Sequence, residues 1–149
     1  MIKKIDTDKK RFLDILLLGD EQEEMIDRYI NRGDMFALFE NDSALKSVCV
    51  VTREDNGIYE IKNIATYPLY QRQGCAKKLI EFICDYYKDD LKVLYVGTGD
   101  AIGNLIFYAK CGFKYSHRVK DFFLENYSRP VIEDGRLLKD MLYLKKIFN

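Results

Sequence analysis

The residues with the clearest capacity for chemistry form one short run, Gln71-Arg72-Gln73-Gly74-Cys75-Ala76, set between an apolar strand-like stretch and an amphipathic helical one. Where a helix begins, several main-chain N–H groups lack intrahelical partners, and the helix dipole adds partial positive charge. A phosphate or diphosphate fits that environment without needing a charged side chain. Glycine at 74 admits close approach to the main chain, and the small Cys75 and Ala76 keep the approach open. Lys77 and Lys78 place positive charge in the first turn, against the dipole, which makes more sense beside anionic oxygens. Taken alone, a loop whose glycine merely caps a helix gives the same residues. The nucleotide P-loop pattern is absent.

Two further segments carry candidate groups. Glu60-Ile61-Lys62-Asn63-Ile64-Ala65-Thr66-Tyr67-Pro68 precedes the glycine run, and Phe107-Tyr108-Ala109-Lys110-Cys111-Gly112-Phe113 follows it. The single histidine, His117, is a weaker candidate base, because a lone histidine in a strand is more often structural. Cys49, Cys75, Cys84 and Cys111 form no C-x-x-C pair. Neither a disulfide framework nor a zinc site is expected, and reduced thiols are the plain reading.

The elements that must position these residues follow from periodicity. Residues 2–5 read as a strand. Asp6 or Thr7 can cap a helix through about Leu18, with Phe12, Ile15 and Leu16 on one face. Gly19-Asp20 breaks it, and a second helix with an acidic start is predicted from Glu21 to about Asn31. Met35–Phe39, Ala44–Thr52 and Ile58–Thr66 read as a meander with turns at Asn41-Asp42 and Asn56-Gly57. A helix over about Gly74–Tyr87, a strand over Leu91–Val96, a turn over Gly97–Asp100 and a helix over Ile102–Lys110 come next. Strands from Phe113 and over Met141–Phe148 complete the pattern. The order β-α-α-β-β-β-α-β-α-β-β predicts an α/β (α+β) fold, a mixed, mostly antiparallel twisted sheet with helices on both faces.

Size and composition agree. The chain has 149 residues, the size of one domain, and nothing in 1–149 invites a domain cut. Its 24 basic and 24 acidic residues cancel, so no global field favours nucleic acid or an anionic membrane. The N-terminal MIKKIDTDKKRF has no apolar stretch of signal-peptide length, and no apolar run is long enough to span a bilayer. A cytoplasmic protein without nucleic-acid or membrane partners is expected.

Together these motifs resemble the GNAT acetyltransferase superfamily. Gln71-x-x-Gly74-x-Ala76 is similar to the family's Q/R-x-x-G-x-G/A signature. The 60–68 segment resembles its fourth strand and exit loop, and 107–113 resembles its Y-x-x-x-G-F motif. The match is close over roughly 58–115, and elsewhere it lies in element order. The resemblance implies a co-substrate, acetyl-coenzyme A, no metal, and transfer of the acetyl group to a primary amine of a small molecule or peptide. A coenzyme A-binding regulatory module without turnover is the alternative.

By that resemblance, the amides of Gln73, Gly74, Cys75, Ala76 and Lys77 would hold the diphosphate, with Gln71 and Arg72 at its edge. Main-chain groups of Ile64, Ala65 and Thr66 would hold the pantetheine arm. Tyr108 is the candidate acid for the departing thiolate. Glu60, eleven positions before Gln71, is the candidate base, set against a plain strand glutamate paired with Lys62. Relatives carry a pantetheine-contacting asparagine where this chain has Ala101; Asn104, one turn before Tyr108, is the candidate substitute. Acceptors in this fold enter from the first two helices and the last strands. The acidic Glu21, Glu23, Glu24, Glu125, Glu133 and Asp134 there would suit a cationic amine, though a solvated face explains them as well. The aromatic 122–130 segment is left open between acceptor pocket and dimer packing. Homodimers are common among members, so a homodimer stays open too.

Overall fold

The computed structural model describes residues 1–41 and 43–149. Of the predicted Asn41-Asp42 turn, Asp42 therefore lies outside the described residues. The chain forms two compact units, Met1–Leu91 and Lys92–Asn149. Among the described residues no helix is long and apolar enough to cross a membrane.

In the first unit, strands β1 (Ile2–Ile5), β2 (Asp34–Glu40), β3 (Ala44–Asp55) and β4 (Ile58–Thr66) pair in sequence order, each antiparallel to the next. Their alternation sends side chains to two covered faces. Met35, Ala37, Val48 and Val50 meet Ile15 and Leu16 of α1 (Leu13–Gly19) and Ile26 of α2 (Glu23–Ile26), together with Tyr29 and Ile30. Phe36 points the other way, edge-on to Phe82, Tyr86 and Tyr87 at the end of α3 (Cys75–Tyr86). Phe36, Ile15, Leu16, Ile26 and Leu79 are fully buried, and each large apolar side chain removed from water contributes about 1.5–3 kcal/mol before entropy is counted.

One irregularity controls β4. Val50 faces Asn63, but Val51 faces Ile61, so Lys62 is an extra residue opposite no single partner. A side-chain period of two means that one inserted residue exchanges the faces. Tyr59 consequently packs on Tyr87 at 4.4 Å on the α3 side, while Ala65 joins the α1 core. Glu60, opposite Thr52, shares the α1 face with Asn63 despite the odd spacing.

Asn63 ties α1 to that strand. Its buried amide donates to Leu16 O at 2.9 Å and to Tyr29 Oη at 3.1 Å, and Tyr29 donates to Asp20 at 2.9 Å. Asn63 Oδ1 has no partner among the described residues. It lies against Gly19, where a Cβ would come 2.1 Å from Oδ1 and 3.1 Å from Ile64 O.

The two N-terminal helices differ from their predicted extents. Asp8 adopts a left-handed conformation (φ 50°), a 3₁₀ turn runs over Lys9–Phe12, and α1 begins only at Leu13. Neither Asp6 nor Thr7 caps it. The second helix keeps its buried Met25, Ile26, Tyr29 and Ile30, but after Ile26 it tightens: Arg28 and Tyr29 donate three residues back instead of four. Lys9 then closes the segment by donating to Ile30 O and Gly33 O.

In the second unit, β5 (Val93–Thr98) and β6 (Lys114–Val119) flank β9 (Met141–Ile147), both antiparallel to it. Helix α4 (Ile102–Lys110) lies on the face of Lys146, whose ammonium donates to Cys111 O. Two elements were not anticipated: α5 (Phe122–Asn126) and a hairpin of β7 (Ile132–Glu133) with β8 (Arg136–Leu137). Asp134 and Gly135 both have positive φ at the turn, 52° and 73°, as a type I′ hairpin requires. Phe123, Val131 and Leu138 make a small core beneath it.

The Gly19 contact gives a direct test. Gly19→Ala is expected to destabilise the protein by about 1–3 kcal/mol, the usual cost of forcing an atom into packed space. A chemical-denaturation midpoint equal to that of the parent protein would contradict this.

Candidate active site

The glycine run sits where α3 begins, and its backbone is unusual. Arg72 (φ 63°) and Gly74 (φ 83°) are both left-handed, on either side of Gln73. For arginine that conformation is strained by roughly 1–2 kcal/mol. The first α3 bond runs from Lys78 N–H to Gly74 O at 3.0 Å. The amides of Cys75, Ala76 and Lys77 thus lack an intrahelical acceptor, and no side chain caps the helix. A Cβ built on Gly74 meets nothing within 4 Å, so the ground above these donors is open. Loop and helix end together present a set of main-chain donors suited to an anion.

Several side chains of the run brace the loop. Gln71 Nε2 donates to Thr66 O at 3.1 Å, and Gln73 Nε2 donates to Leu69 O at 3.2 Å. Cys75 Sγ lies 3.7 Å from Tyr70 O, turned inward. Arg72, Lys77 and Lys78 are exposed. The strand end feeding the loop is held as firmly. Ser47 Oγ donates to Ala65 O at 2.7 Å and lies 2.9 Å from Thr66 Oγ1. Tyr67 donates to Asp14 on α1, and burial, then that carboxylate, push its phenol up to about 12. Ile64, Ala65 and Thr66 therefore occupy a well-fixed piece of main chain.

Glu60 is largely enclosed, its side chain 13% exposed and 2.9 Å from Lys62. Burial raises its pKa above the ordinary carboxylate range, and Lys62 opposes that rise through charge and hydrogen bonding. The pairing with Lys62 and an elevated pKa occur together, so the residue is both a paired strand glutamate and a carboxyl poised nearer neutrality. Its neighbour Glu54 behaves oppositely: burial acts upward, but bonds from Thr52 and Arg32 outweigh it and lower the pKa.

In the second unit, Tyr108 is buried on α4, with ring contacts to Phe107 at 5.1 Å and Phe113 at 5.6 Å. Phe113 N–H donates back to Tyr108 O across the Gly112 turn, fixing the end of the helix. Asn104 donates to Glu133 Oε1 at 2.9 Å and lies 3.4 Å from Thr98 Oγ1. The sequence offers Glu133 as an acceptor-side acid or a solvated carboxylate, and gives no sign of this bond to Asn104. His117 stacks on Tyr143 at 4.8 Å and 6°, on an exposed strand, and Ser116 Oγ lies 2.9 Å from its Nδ1. That is a cross-strand aromatic pair.

A glycine-turned, uncapped helix start after a braced strand end, in a mixed and mostly antiparallel α/β fold, marks the class of α/β proteins that present main-chain donors to an anionic ligand. Residues 31–115, more than half of the chain, match the acetyltransferase (GNAT) domain family. The chain is 33% identical over 133 residues to an uncharacterized N-acetyltransferase, YvbK, of Bacillus subtilis (strain 168), covering 88% of this chain and 85% of that protein. Its structure is similar to that of a GNAT family acetyltransferase from Elizabethkingia anophelis with acetyl-CoA bound, with TM-score 0.92, 31% identity, and 99% and 97% of the two chains covered. It is also similar to a Bacillus subtilis acetyltransferase in complex with CoA, with TM-score 0.88, 30% identity, and 99% and 98% covered. The protein belongs to the GNAT acetyltransferase family.

The electrostatics of Glu60 can be measured without assaying activity. The folded carboxyl holds its proton more tightly than the unfolded one, so stability due to Glu60 is highest below its unfolded pKa. It falls as pH rises through the folded pKa. Lys62→Met removes the opposing charge, and a carbon-detected NMR titration is expected to show Glu60 ionising at still higher pH. A downward shift would show that Lys62 does not act on Glu60 in this way.

Proposed function

We propose that this acetyltransferase moves an acetyl group from acetyl-coenzyme A to a primary amine of a small molecule or peptide, by direct attack on the thioester and without a metal. The observation that carries this reading is the open set of amides around Gly74, shaped by left-handed Arg72 and Gly74 and left uncapped at the start of α3. Two CoA-carrying relatives at 30% and 31% identity support the same ligand. In this reading the amides of Gln73, Gly74, Cys75, Ala76 and Lys77 hold the diphosphate. Gln71 serves by bracing Thr66 and Arg72 by setting the turn. Main-chain groups of Ile64, Ala65 and Thr66 hold the pantetheine arm, with Asn104 contributing from α4. The chain then works as a single acetyltransferase domain over 1–149, in the cytoplasm.

The chemistry has a proton problem that the side chains answer. An alkyl ammonium with pKa near ~10.4 is neutral in only about 0.04% of molecules at pH 7, and only the neutral amine attacks. Glu60, raised by burial, is the group that takes the proton. As the C–N bond forms and the C–S bond breaks, Tyr108 gives its proton to the departing thiolate. A fixed main-chain amide near Ile64 or Ala65 steadies the oxyanion.

Two variants test the two halves. Gly74→Asp puts a carboxylate where the diphosphate would lie, in space that is empty without ligand. Calorimetry is expected to show coenzyme A affinity reduced by at least about 30-fold, since like charges in contact cost several kcal/mol, while the fold survives. Undiminished affinity in the folded variant would overturn the diphosphate assignment. Tyr108→Phe is expected to lower kcat by about 10²–10⁴-fold with coenzyme A affinity nearly unchanged, the usual weight of a general acid. Turnover is followed by thiol release over a panel of amines. Binding without thiol release from any of them would indicate a regulatory module.

A further inference from the structure

The hairpin that sequence reasoning did not foresee grips the link between β5 and α4 at three points. Glu133, on its first strand, accepts from Asn104 Nδ2 at 2.9 Å. Arg136, on its second strand, donates to Asp100 Oδ2 at 2.8 Å. Leu138, just beyond, packs on Gly99 so closely that a Cβ there would lie 2.7 Å from its Cδ1. The Asp134-Gly135 turn makes the hairpin short and preformed, and Leu138 N–H to Val131 O at 2.9 Å closes its base over the Phe123 core. The residues gripped are Gly99, Asp100 and Asn104, in the turn before α4 and in its first turn.

The consequence for Asn104 is chemical as well as mechanical. A carboxamide offers two donor hydrogens and one acceptor oxygen. Here the amide nitrogen is turned to Glu133 and Thr98. A carboxylate can only accept, so Glu133 fixes which end of the amide faces it. The group left for a ligand is Oδ1, an acceptor. The pantetheine arm of coenzyme A carries two amide N–H groups, which are donors.

We propose that Glu133 is a positioning residue for the acyl donor: it orients Asn104 so that Oδ1 accepts a hydrogen bond from a pantetheine amide, and the β7–β8 hairpin holds that arrangement. This rests on acetyl-coenzyme A being the co-substrate. It gives the 131–138 segment a role at the donor, where the sequence reading of Glu133 and Asp134 is attraction of a cationic amine or a solvated face.

The test uses the full chain with two donors, acetyl-CoA and S-acetylpantetheine, which keeps the arm but lacks the diphosphate and nucleotide. Glu133→Ala is expected to raise KM about 5–10-fold for both donors, the scale of one charge-assisted hydrogen bond discounted for exposure, with kcat unchanged. Asn104→Asp, which sets two carboxylates against each other, is expected to do worse. Combining it with Glu133→Gln restores one donor and one acceptor and should bring KM back within about threefold. Unchanged KM in Glu133→Ala, a loss seen with acetyl-CoA only, or no rescue in the double variant would each overturn the proposal. If the unmodified protein neither binds coenzyme A nor releases thiol, the underlying acetyltransfer reading fails, and the proposal fails with it. Binding by the parent and an equally tight Glu133→Ala variant would fail the proposal alone.

Discussion

One extra residue on β4 decides which of its side chains face α1. Lys62 has no direct partner on β3, and the strand's side chains exchange faces across it. Before the bulge, Tyr59 and Ile61 serve the α3 side; after it, Asn63 and Ala65 serve α1. Without that shift Asn63 would point away from Leu16 and Tyr29, and the buried chain from Asn63 through Tyr29 to Asp20 would not form. The orphaned Oδ1 of Asn63 is the cost of this arrangement, on the order of 1–3 kcal/mol for an unsatisfied buried acceptor. It is tolerated because the same amide nitrogen makes two bonds that fix the end of α1 to β4.

That fixation carries into the site. Ile64–Thr66 follows the tether directly, then Tyr67 is anchored to Asp14, and Gln71 and Gln73 bind back to carbonyls of the same loop. The loop's two glutamines are spent on holding it, so what it presents outward is main-chain N–H and the exposed Arg72 side chain. A site built from backbone donors on a braced loop is preorganised: little remains to be ordered when an anion arrives. The left-handed Arg72 fits this account, since backbone strain persists where neighbouring bonds over-determine it.

The second unit uses the same economy differently. Its α4 start is not held by a capping side chain of its own, and the hairpin supplies the restraint from 29 or more residues further along the chain. Acidic residues that looked like a solvated surface are divided by this arrangement. Glu133 is engaged with Asn104, while Glu23 is paired with Lys10 on the first unit's surface.

The sequence by itself determined the local features: the glycine loop before α3, the order of the long strands and helices, and the Y-x-x-x-G-F end of α4, because each depends on neighbours a few residues away. The Asp134-Gly135 hairpin was equally local and went unread, its flanking strands being only two residues long. Tertiary structure decided the rest. Periodicity carried the second helix to Asn31, but packing of Tyr29 and Ile30 and the Lys9 bonds to Ile30 and Gly33 tightened it after Ile26. The Lys62 bulge leaves no trace in an alternating pattern, because only the register with β3 reveals which residue is extra. The Asn104–Glu133 bond joins positions that no spacing rule connects. Side chains distant in sequence reach each other only once the sheet and its turns have set their positions, and there the physics of pairing takes over from the physics of propensity.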